Sequence, residues 1–200
     1  MKKLLTVFIT ICLFAILALP VSAYSGNKDD ELAFSFQFVF DANELSNNFA
    51  TGPRGIIGEK IYVPVNGAVS KEIGTTLVLE LSSNQALAAT TTKNVSVKGH
   101  FYLIEDPDTI VTRYGLAGSF ESDGSSVKIS GEYAYHNSAL DNWSGNSATS
   151  QEAGSGYKTL IGTYEVFKKN KKDNSAEIKV KGTKNGVITV SGDYTEKNIS

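Results

Sequence analysis

Residues 95–101 read Val-Ser-Val-Lys-Gly-His-Phe, so that apolar and polar residues alternate and a glycine stands two positions before an aromatic residue. Variants of this phrase recur at 114–120, 127–133, 160–164, 178–182 and 188–194. Alternation with a period of two places the apolar residues on one face of a β-strand. The recurrence therefore predicts a meander of antiparallel strands in the C-terminal half of the chain.

The glycines of this phrase carry further information about the sheet. A glycine inside a strand costs stability unless the sheet bends there or another group comes close. We expect each one to leave room for a large ring from a neighbouring strand. Recurrent strand glycines also favour the coiling found at barrel corners. We therefore predict an all-β, single-domain antiparallel barrel of about nine strands, with a two-layer β-sandwich as the alternative.

The register of the hairpins follows from parity, because residues directly opposite one another must share a face of the sheet. A tight turn or short loop is then chosen so that apolar residues oppose apolar residues. The predicted pairs are Phe120 with Val127 across an Asp123-Gly124 turn, Leu103 with Ile110 and Gly99 with Tyr114 across a loop at 105–108, and Gly182 with Ile188 across a loop at 184–186 in which Gly186 is left-handed.

The first residues resemble an export signal of bacterial style. Residues 1–23 contain two lysines, an apolar run and a small-residue cleavage site, which together are typical of a secretory signal peptide. The single cysteine, Cys12, lies inside this segment, so the remaining chain is predicted to have no disulfides. After cleavage we expect a flexible leader at 24–31 and one antiparallel β domain at 32–200.

Three strands are predicted before the meander. Residues 32–40 place a leucine and four phenylalanines on one face, and we expect this apolar strand to sit centrally. Residues 61–65 contain Pro64, which has no N–H to donate to a ladder and therefore belongs at a sheet edge. Residues 77–81, with a leucine at every second position, make the third strand.

Residues 137–157 are rich in Ser, Gly, Asn and Ala and are predicted to form a long loop. Loops of this length are usually functional or disordered. The only tryptophan, Trp143, lies within it, and an aromatic residue on a loop over a rigid sheet is a common recognition surface. The alternative is that Trp143 folds back to cap an open end of the sheet. The candidate binding residues here are Tyr135, His136, Asn142 and Trp143.

A second candidate surface is basic. Lys168, Lys169, Lys171 and Lys172 crowd one turn, and further lysines continue to residue 184. Such a patch could bind an anionic cell-envelope polymer or a membrane surface. The alternative is that the lysines protect an edge strand from pairing with another molecule.

Signs of catalysis or metal binding are weak. Glu132 and Asp193 occupy the same position in two copies of the phrase, and paired carboxylates could act on a glycoside. Parity, however, places both on the polar face. His100 and His136 lack a close ligand spacing, and the acidic cluster at 105–108 lacks the pattern of a calcium loop. The sequence therefore predicts no catalytic residue, no metal and no cofactor.

Composition limits the class of partner. The formal net charge of −2 argues against general nucleic-acid binding. We expect a secreted or cell-surface, non-enzymatic module that binds an anionic cell-envelope polymer or another surface protein, with no transmembrane segment after cleavage. Two alternatives stay open: a membrane-active or toxin-like protein, and a small hydrolase that uses carboxylates at a barrel mouth.

Overall fold

The structure is a computed structural model that describes residues 30–40, 60–85 and 90–197. The predicted signal peptide, Cys12 and the connection at 41–59 lie outside the described residues. The strands are β1 Asp30–Phe40, β2 Lys60–Ala68, β3 Ile73–Gln85, β4 Thr91–Leu103, β5 Asp106–Ser122, β6 Val127–Ser138, β7 Trp143–Gly154, β8 Tyr157–Lys168, β9 Lys171–Thr183 and β10 Ile188–Lys197. Since β1 already begins at Asp30, the predicted leader at 24–31 extends too far.

The ten strands form two antiparallel sheets. The N-sheet has the order β2-β3-β4-β5-β6, and the C-sheet has the order β1-β10-β9-β8-β7. Within the described residues, no hydrogen-bonded ladder joins β6 to β7 or β1 to β2. The predicted all-β antiparallel fold is confirmed, but the sheet is not closed into a barrel. The arrangement fits the alternative, a two-layer sandwich.

The glycines explain why the barrel prediction was wrong. A Cβ atom on Gly99 would lie 2.5 Å from Cζ of Tyr114 on the neighbouring strand, and one on Gly182 would lie 2.3 Å from Cδ1 of Phe120 in the opposite sheet. The expected room for a ring from a neighbouring strand is therefore confirmed at Gly99, but the nearest side chain to Gly118 is Leu160, and nothing lies within 4 Å of a Cβ atom on Gly131. Because Gly99 and Gly182 are needed for close packing, the recurrence of glycine does not require a sheet that coils until its edges meet.

The core lies between the two sheets and is built from the inward faces of the glycine-bearing strands. In the N-sheet its fully buried members include Leu77, Leu79, Leu81, Val97, Phe101, Leu116 and Phe120. In the C-sheet they include Leu160, Ile178, Val180, Ile188 and Val190. The predicted strands at 61–65 and 77–81 are confirmed as parts of β2 and β3, and Pro64 lies on an edge strand as expected.

Tyrosine hydroxyls form a buried chain of hydrogen bonds across the core. The Tyr114 hydroxyl lies 2.6 Å from the Tyr194 hydroxyl and 2.7 Å from Oγ1 of Thr75, which donates to the His100 carbonyl at 3.2 Å. Because Thr75 donates to this carbonyl, Tyr114 donates to Thr75 and Tyr194 donates to Tyr114. The chain joins β10 of the C-sheet to β3 and β5 of the N-sheet.

The direction of this chain predicts unequal effects of removing its hydroxyls. Tyr114→Phe leaves the buried Tyr194 hydroxyl without an acceptor, so we expect a loss of about 3 kcal/mol in the free energy of unfolding. Tyr194→Phe leaves Tyr114 donating to Thr75, so we expect a loss of about 1 kcal/mol. Urea unfolding of the two variants measures both values. Equal losses would contradict the assigned direction.

The phenylalanine strand is confirmed, but its predicted central position is wrong. Among the strands of the described residues, β1 pairs only with β10 and is an edge strand of the C-sheet. Phe36 fills the space above Gly192, and Phe34 lies 5.5 Å from the ring of Tyr194 between centroids. Alternation decides which face of a strand is covered, whereas the number of neighbouring strands depends on topology.

Two of the three predicted hairpins need correction. The loop at 184–186 is confirmed, with Gly182 opposite Ile188 and Gly186 at φ +79°. Gly99 faces Tyr114 as predicted, but Leu103 pairs with Asp106 and not with Ile110, because β5 bulges.

In the third hairpin, the carboxylate of Asp123 accepts hydrogen bonds from the backbone N–H and hydroxyl groups of Ser125 and Ser126. These bonds hold the pKa of Asp123 well below its usual value.

The Asp123 loop and a bulge change the register of β6. The loop spans residues 123–126, so Phe120 pairs with Ile129 and not with Val127. One extra residue in β6 then shifts the ladder near Gly131, whose φ is +62°. Beyond this bulge the side-chain parity inverts. Tyr133, which was predicted to face the core, is therefore 52% exposed.

Residues 137–157 do not form the predicted long loop. Most of them form β7, which pairs with β8 along its whole length and is the edge strand of the C-sheet. Its polar side chains show no apolar alternation, and most are exposed. The backbone ladder with β8 holds this strand in place, and a hydrophobic pattern carries no signal of such a ladder.

Candidate binding face on the N-sheet

The outer face of the N-sheet carries tyrosine rings seated on glycines. A Cβ atom on Gly115 of β5 would lie 2.4 Å from Cε1 of Tyr135 on β6. Likewise, a Cβ atom on Gly74 of β3 would lie 2.4 Å from Cζ of Tyr102 on β4. Because each glycine lacks a side chain, the ring rests against the sheet.

The exposed Tyr133 and the half-buried Tyr135 form a pair, which we name the tyrosine platform. They lie two residues apart on β6 and therefore point to the same face. Their ring centroids are 6.1 Å apart and the ring planes differ by 24°. The rings are thus nearly parallel, and they form an aromatic strip that runs along the strand.

An open groove of about 200 Å³ adjoins the platform and crosses β3 to β6. Tyr133 forms one wall of it. Hydroxyl, amide, carboxylate and ammonium groups line the rest, contributed mainly by Glu80, Ser82, Asn94, Ser96, Lys98 and Ser119. Lys98 Nζ lies 3.9 Å from Oε2 of Glu80, so the two charges partly balance. The groove offers many hydrogen-bonding groups beside an aromatic surface.

Basic groups lie next to Tyr135. Along the ladder Tyr135 pairs with Gly115, Gly115 pairs with Lys98, and the next outward pair is His100 with Arg113. Partial burial and then the positive charge of Arg113 lower the pKa of His100. The positive charge beside the platform at neutral pH therefore comes from Lys98 and Arg113.

The outer face of the C-sheet differs from this surface. Two of its lysines lie in ion pairs: Nζ of Lys179 is 2.6 Å from Oε1 of Glu177, and Nζ of Lys172 is 3.2 Å from Oε1 of Glu165. Exposed pairs of this kind contribute little to stability and are typical of a solvated surface. The platform and its groove thus distinguish the N-sheet as the better candidate surface.

The structure places the predicted binding residues at three separate locations. Tyr135 belongs to the outer face of the N-sheet. His136 points to the other side of β6, where its Nδ1 lies 3.5 Å from Oγ of Ser147 on β7. Trp143 and the lysine turn lie at one end of the sandwich, since Asn142 accepts a hydrogen bond from the backbone N–H of Lys169 at 2.8 Å.

At this end of the sandwich, Trp143 and Lys168 already have intramolecular partners. Trp143 is only 8% exposed and belongs to the core, which agrees with the alternative that it caps an end of the sheet. Nζ of Lys168 lies 5.3 Å from the tryptophan ring centroid and forms an ion pair with Glu72. Lys169 and Lys171 are exposed. The strands that carry the lysines, β8 and β9, are both interior, so the lysines do not protect an edge.

The carboxylates considered for catalysis are not brought together. Glu132 lies on β6 of the N-sheet and accepts a hydrogen bond from Gln151 at 2.7 Å, whereas Asp193 lies on β10 of the C-sheet. Burial raises the pKa of Asp193, and the nearby Lys179 opposes this shift. Among the described residues, no group of three or more His, Cys, Asp or Glu side chains is arranged to hold a metal ion.

Sequence reasoning missed Tyr133, Lys98 and Arg113. A usable signal was present, because Gly74 and Gly115 occupy polar-face positions of their strands, where no core ring requires a glycine. A glycine at such a position indicates that an outward-facing ring lies across it. The bulge at Gly131, which turns Tyr133 outward, has no comparable signal in the alternation.

Within the part of the chain that the structure covers, no helix is long and apolar enough to cross a bilayer. Comparison of the chain with protein-family models, with curated proteins and with solved structures finds no significant match.

Proposed function

We propose that this protein is a secreted, non-enzymatic binding module that binds a polysaccharide on the outer face of its N-sheet. The observation that carries this proposal is the tyrosine platform, in which the exposed Tyr133 ring and the half-buried Tyr135 ring lie nearly parallel beside a polar groove. Recognition sites are commonly built on rigid scaffolds of this kind. The export signal expected at residues 1–23 is consistent with a ligand outside the cell.

The platform suits a sugar because of the charge distribution of an aromatic ring. The face of the ring is negative, so it attracts the weakly positive C–H groups on the flat side of a pyranose. Two rings in a row on one strand offer two such contacts to successive sugars of a chain. The neighbouring hydroxyl, amide and carboxylate groups can bond to the sugar hydroxyls at the rim.

A peptide is a less suitable ligand for this face. An extended peptide usually adds to a sheet edge or fills an apolar groove. Most of the groove lies over the interior strands β3, β4 and β5, whose backbone groups are already used in ladders; only Gly131 and Tyr133 of its lining belong to the edge strand β6, and the lining is mainly polar. A polymer rich in hydroxyl groups is the better chemical match.

Affinity electrophoresis in gels that contain hydroxyethyl cellulose, laminarin, xylan or polygalacturonate tests the proposal. We expect at least one polymer to retard the protein. Tyr133→Ala and Tyr135→Ala should each weaken that binding about tenfold, because each removes one stacking surface. Tyr133→Phe, which keeps the ring, should bind nearly as well as the wild-type protein.

The matched control is Tyr157→Ala, which removes a half-buried tyrosine from the outer face of the C-sheet, where Lys181 lies 4.0 Å from the ring centroid. This variant should be retarded as strongly as the wild-type protein. Thermal unfolding of all variants checks that they are folded. If no polymer retards the protein, or if all three alanine variants lose binding equally, the tyrosine platform is not the binding site.

A further inference from the structure

We propose that the bound polysaccharide is acidic, and that Lys98 and Arg113 bind its carboxylate or phosphate substituents beside the tyrosine platform. This inference rests on the proposed function and names the class of sugar that the same face recognises. It concerns residues of β4 and β5, in contrast to the lysine turn at 168–172 that the sequence suggested for an anionic polymer.

The first argument is position. Lys98 lies directly across from Gly115, on which the Tyr135 ring rests, and Arg113 lies two residues before Gly115 on the same face of β5. The charge of Arg113 also acts on the Tyr135 hydroxyl, where it opposes the rise in pKa that burial causes. A sugar stacked on Tyr135 would therefore carry its substituents between two cationic side chains.

The second argument is availability. Arg113 is exposed, and the Lys98 side chain is 61% exposed, although Lys98 also contacts the mostly buried Glu80. An arginine can donate two parallel hydrogen bonds to one carboxylate or phosphate group, which adds geometric selectivity to charge attraction. By comparison, Lys168 and Lys172 at the basic turn already pair with Glu72 and Glu165.

The third argument is the distribution of negative charge on this face. Glu80 lies on the far side of the groove floor, next to Lys98. The acidic tip of the β4–β5 hairpin lies beyond Leu103, roughly 15 Å along the strand from Lys98. Next to Tyr135, Glu80 thus balances part of the Lys98 charge, and the exposed Arg113 adds a positive charge that should favour an anionic substituent.

Matched polymers test the inference: polygalacturonate against its methyl ester, and a phosphomannan against the same mannan after dephosphorylation. Each pair shares one backbone and differs only in charge. We expect at least one acidic polymer to bind about tenfold more tightly than its neutral partner, and added salt to reduce this difference. The first pair reports a carboxylate ligand and the second a phosphate ligand.

Two charge-neutralising variants identify the site. Arg113→Gln should lower the affinity for the acidic polymer about tenfold and leave the neutral polymer unaffected. Lys171→Gln removes the same charge from the distant β8–β9 turn and should have no effect. If Lys171→Gln weakens binding and Arg113→Gln does not, the inference is wrong and the lysine turn is the anionic site.

The two proposals can fail separately. If the tyrosine variants lose binding but the acidic and neutral polymers bind alike, the inference is overturned and the proposed function stands. If no polymer of either pair binds, both are overturned. Dimerisation of the protein through this face, detected by sedimentation and abolished by Tyr133→Ala, would also overturn both, because the face would then be occupied by a second copy.

Discussion

The protein should unfold steeply above about pH 11, because three core tyrosines resist ionisation in the folded state. Burial raises the pKa of Tyr114 to about 12, and it raises the pKa values of Tyr164 and Tyr194 well above the ordinary value. In the unfolded chain a tyrosine has a pKa near 10. The unfolded state therefore loses protons first as the pH rises above that value.

The sign of the effect follows from this difference in pKa. Below about pH 10 all three hydroxyls are protonated in both states, and the stabilisation is fully present. Above it, each tyrosine lowers the free energy of unfolding by about 1.4 kcal/mol per pH unit, so three together lower it by about 4 kcal/mol per unit. A domain stable by about 5–15 kcal/mol therefore loses its stability roughly one to four pH units above pH 10.

Urea unfolding at a series of pH values measures this dependence, and tyrosinate absorbance with circular dichroism monitors the transition. Ionisation of the three buried tyrosines should coincide with loss of the strand signal. Tyr164→Phe should reduce the slope of stability against pH above pH 10 by about one third, since one ionising group is gone. The lost hydrogen bond from Tyr164 to the Gly115 carbonyl changes the absolute stability but not this slope. An unchanged slope would contradict the assignment.

Gly99→Ala should be among the most damaging single substitutions in the described core. The new Cβ atom would lie 2.5 Å from Cζ and 2.6 Å from Oη of Tyr114. That ring packs against Phe101 and Tyr164, with centroids 4.9 Å and 5.1 Å away, and its hydroxyl is bonded on two sides. We expect a loss of about 3–5 kcal/mol from overpacking and broken hydrogen bonds, and a fall in Tm of roughly 10 °C.

Gly154→Ala is the matched control for this prediction. Its Cβ atom would lie 2.2 Å from Cε1 of Tyr157, which is as close as the contact at Gly99. Tyr157, however, is a half-buried residue at the start of β8, beside the turn of the β7–β8 hairpin, so its ring can swing away. We expect a loss below about 1 kcal/mol. Similar losses of stability in Gly99→Ala and Gly154→Ala would contradict the prediction, because they would show that the burial of the facing tyrosine ring does not determine the loss.

The inward faces of most strands could be predicted from the sequence. The alternation in β4, β8, β9 and β10 identified buried residues because one face of each strand is covered by the opposite sheet. The loop at 184–186 was predictable for the same reason, since its register is the one that keeps apolar residues opposite one another. Both features depend on the alternation of apolar and polar residues within one strand or hairpin, which can be read from the sequence.

Three other features could not be read from alternation. β7 is held by its backbone ladder with β8, and its polar side chains give no hydrophobic signal. The bulge at Gly131 inverts the parity of β6 and brings Tyr133 to the surface. Closure of the sheet depends on contacts between β6 and β7 and between β1 and β2, which are set by the whole topology. The candidate binding face depends on the bulge at Gly131, because this bulge brings Tyr133 to the surface.

The pairing of β1 with β10 has a consequence for the order of assembly. Asp30 stands opposite Lys197, so the first described strand forms its backbone ladder with the last one. During synthesis from the amino terminus, this strand and its four phenylalanines therefore remain unpaired until β10 has been synthesised. A pairing this distant in sequence is intrinsically slow to form, and in the interval the exposed phenylalanines favour aggregation.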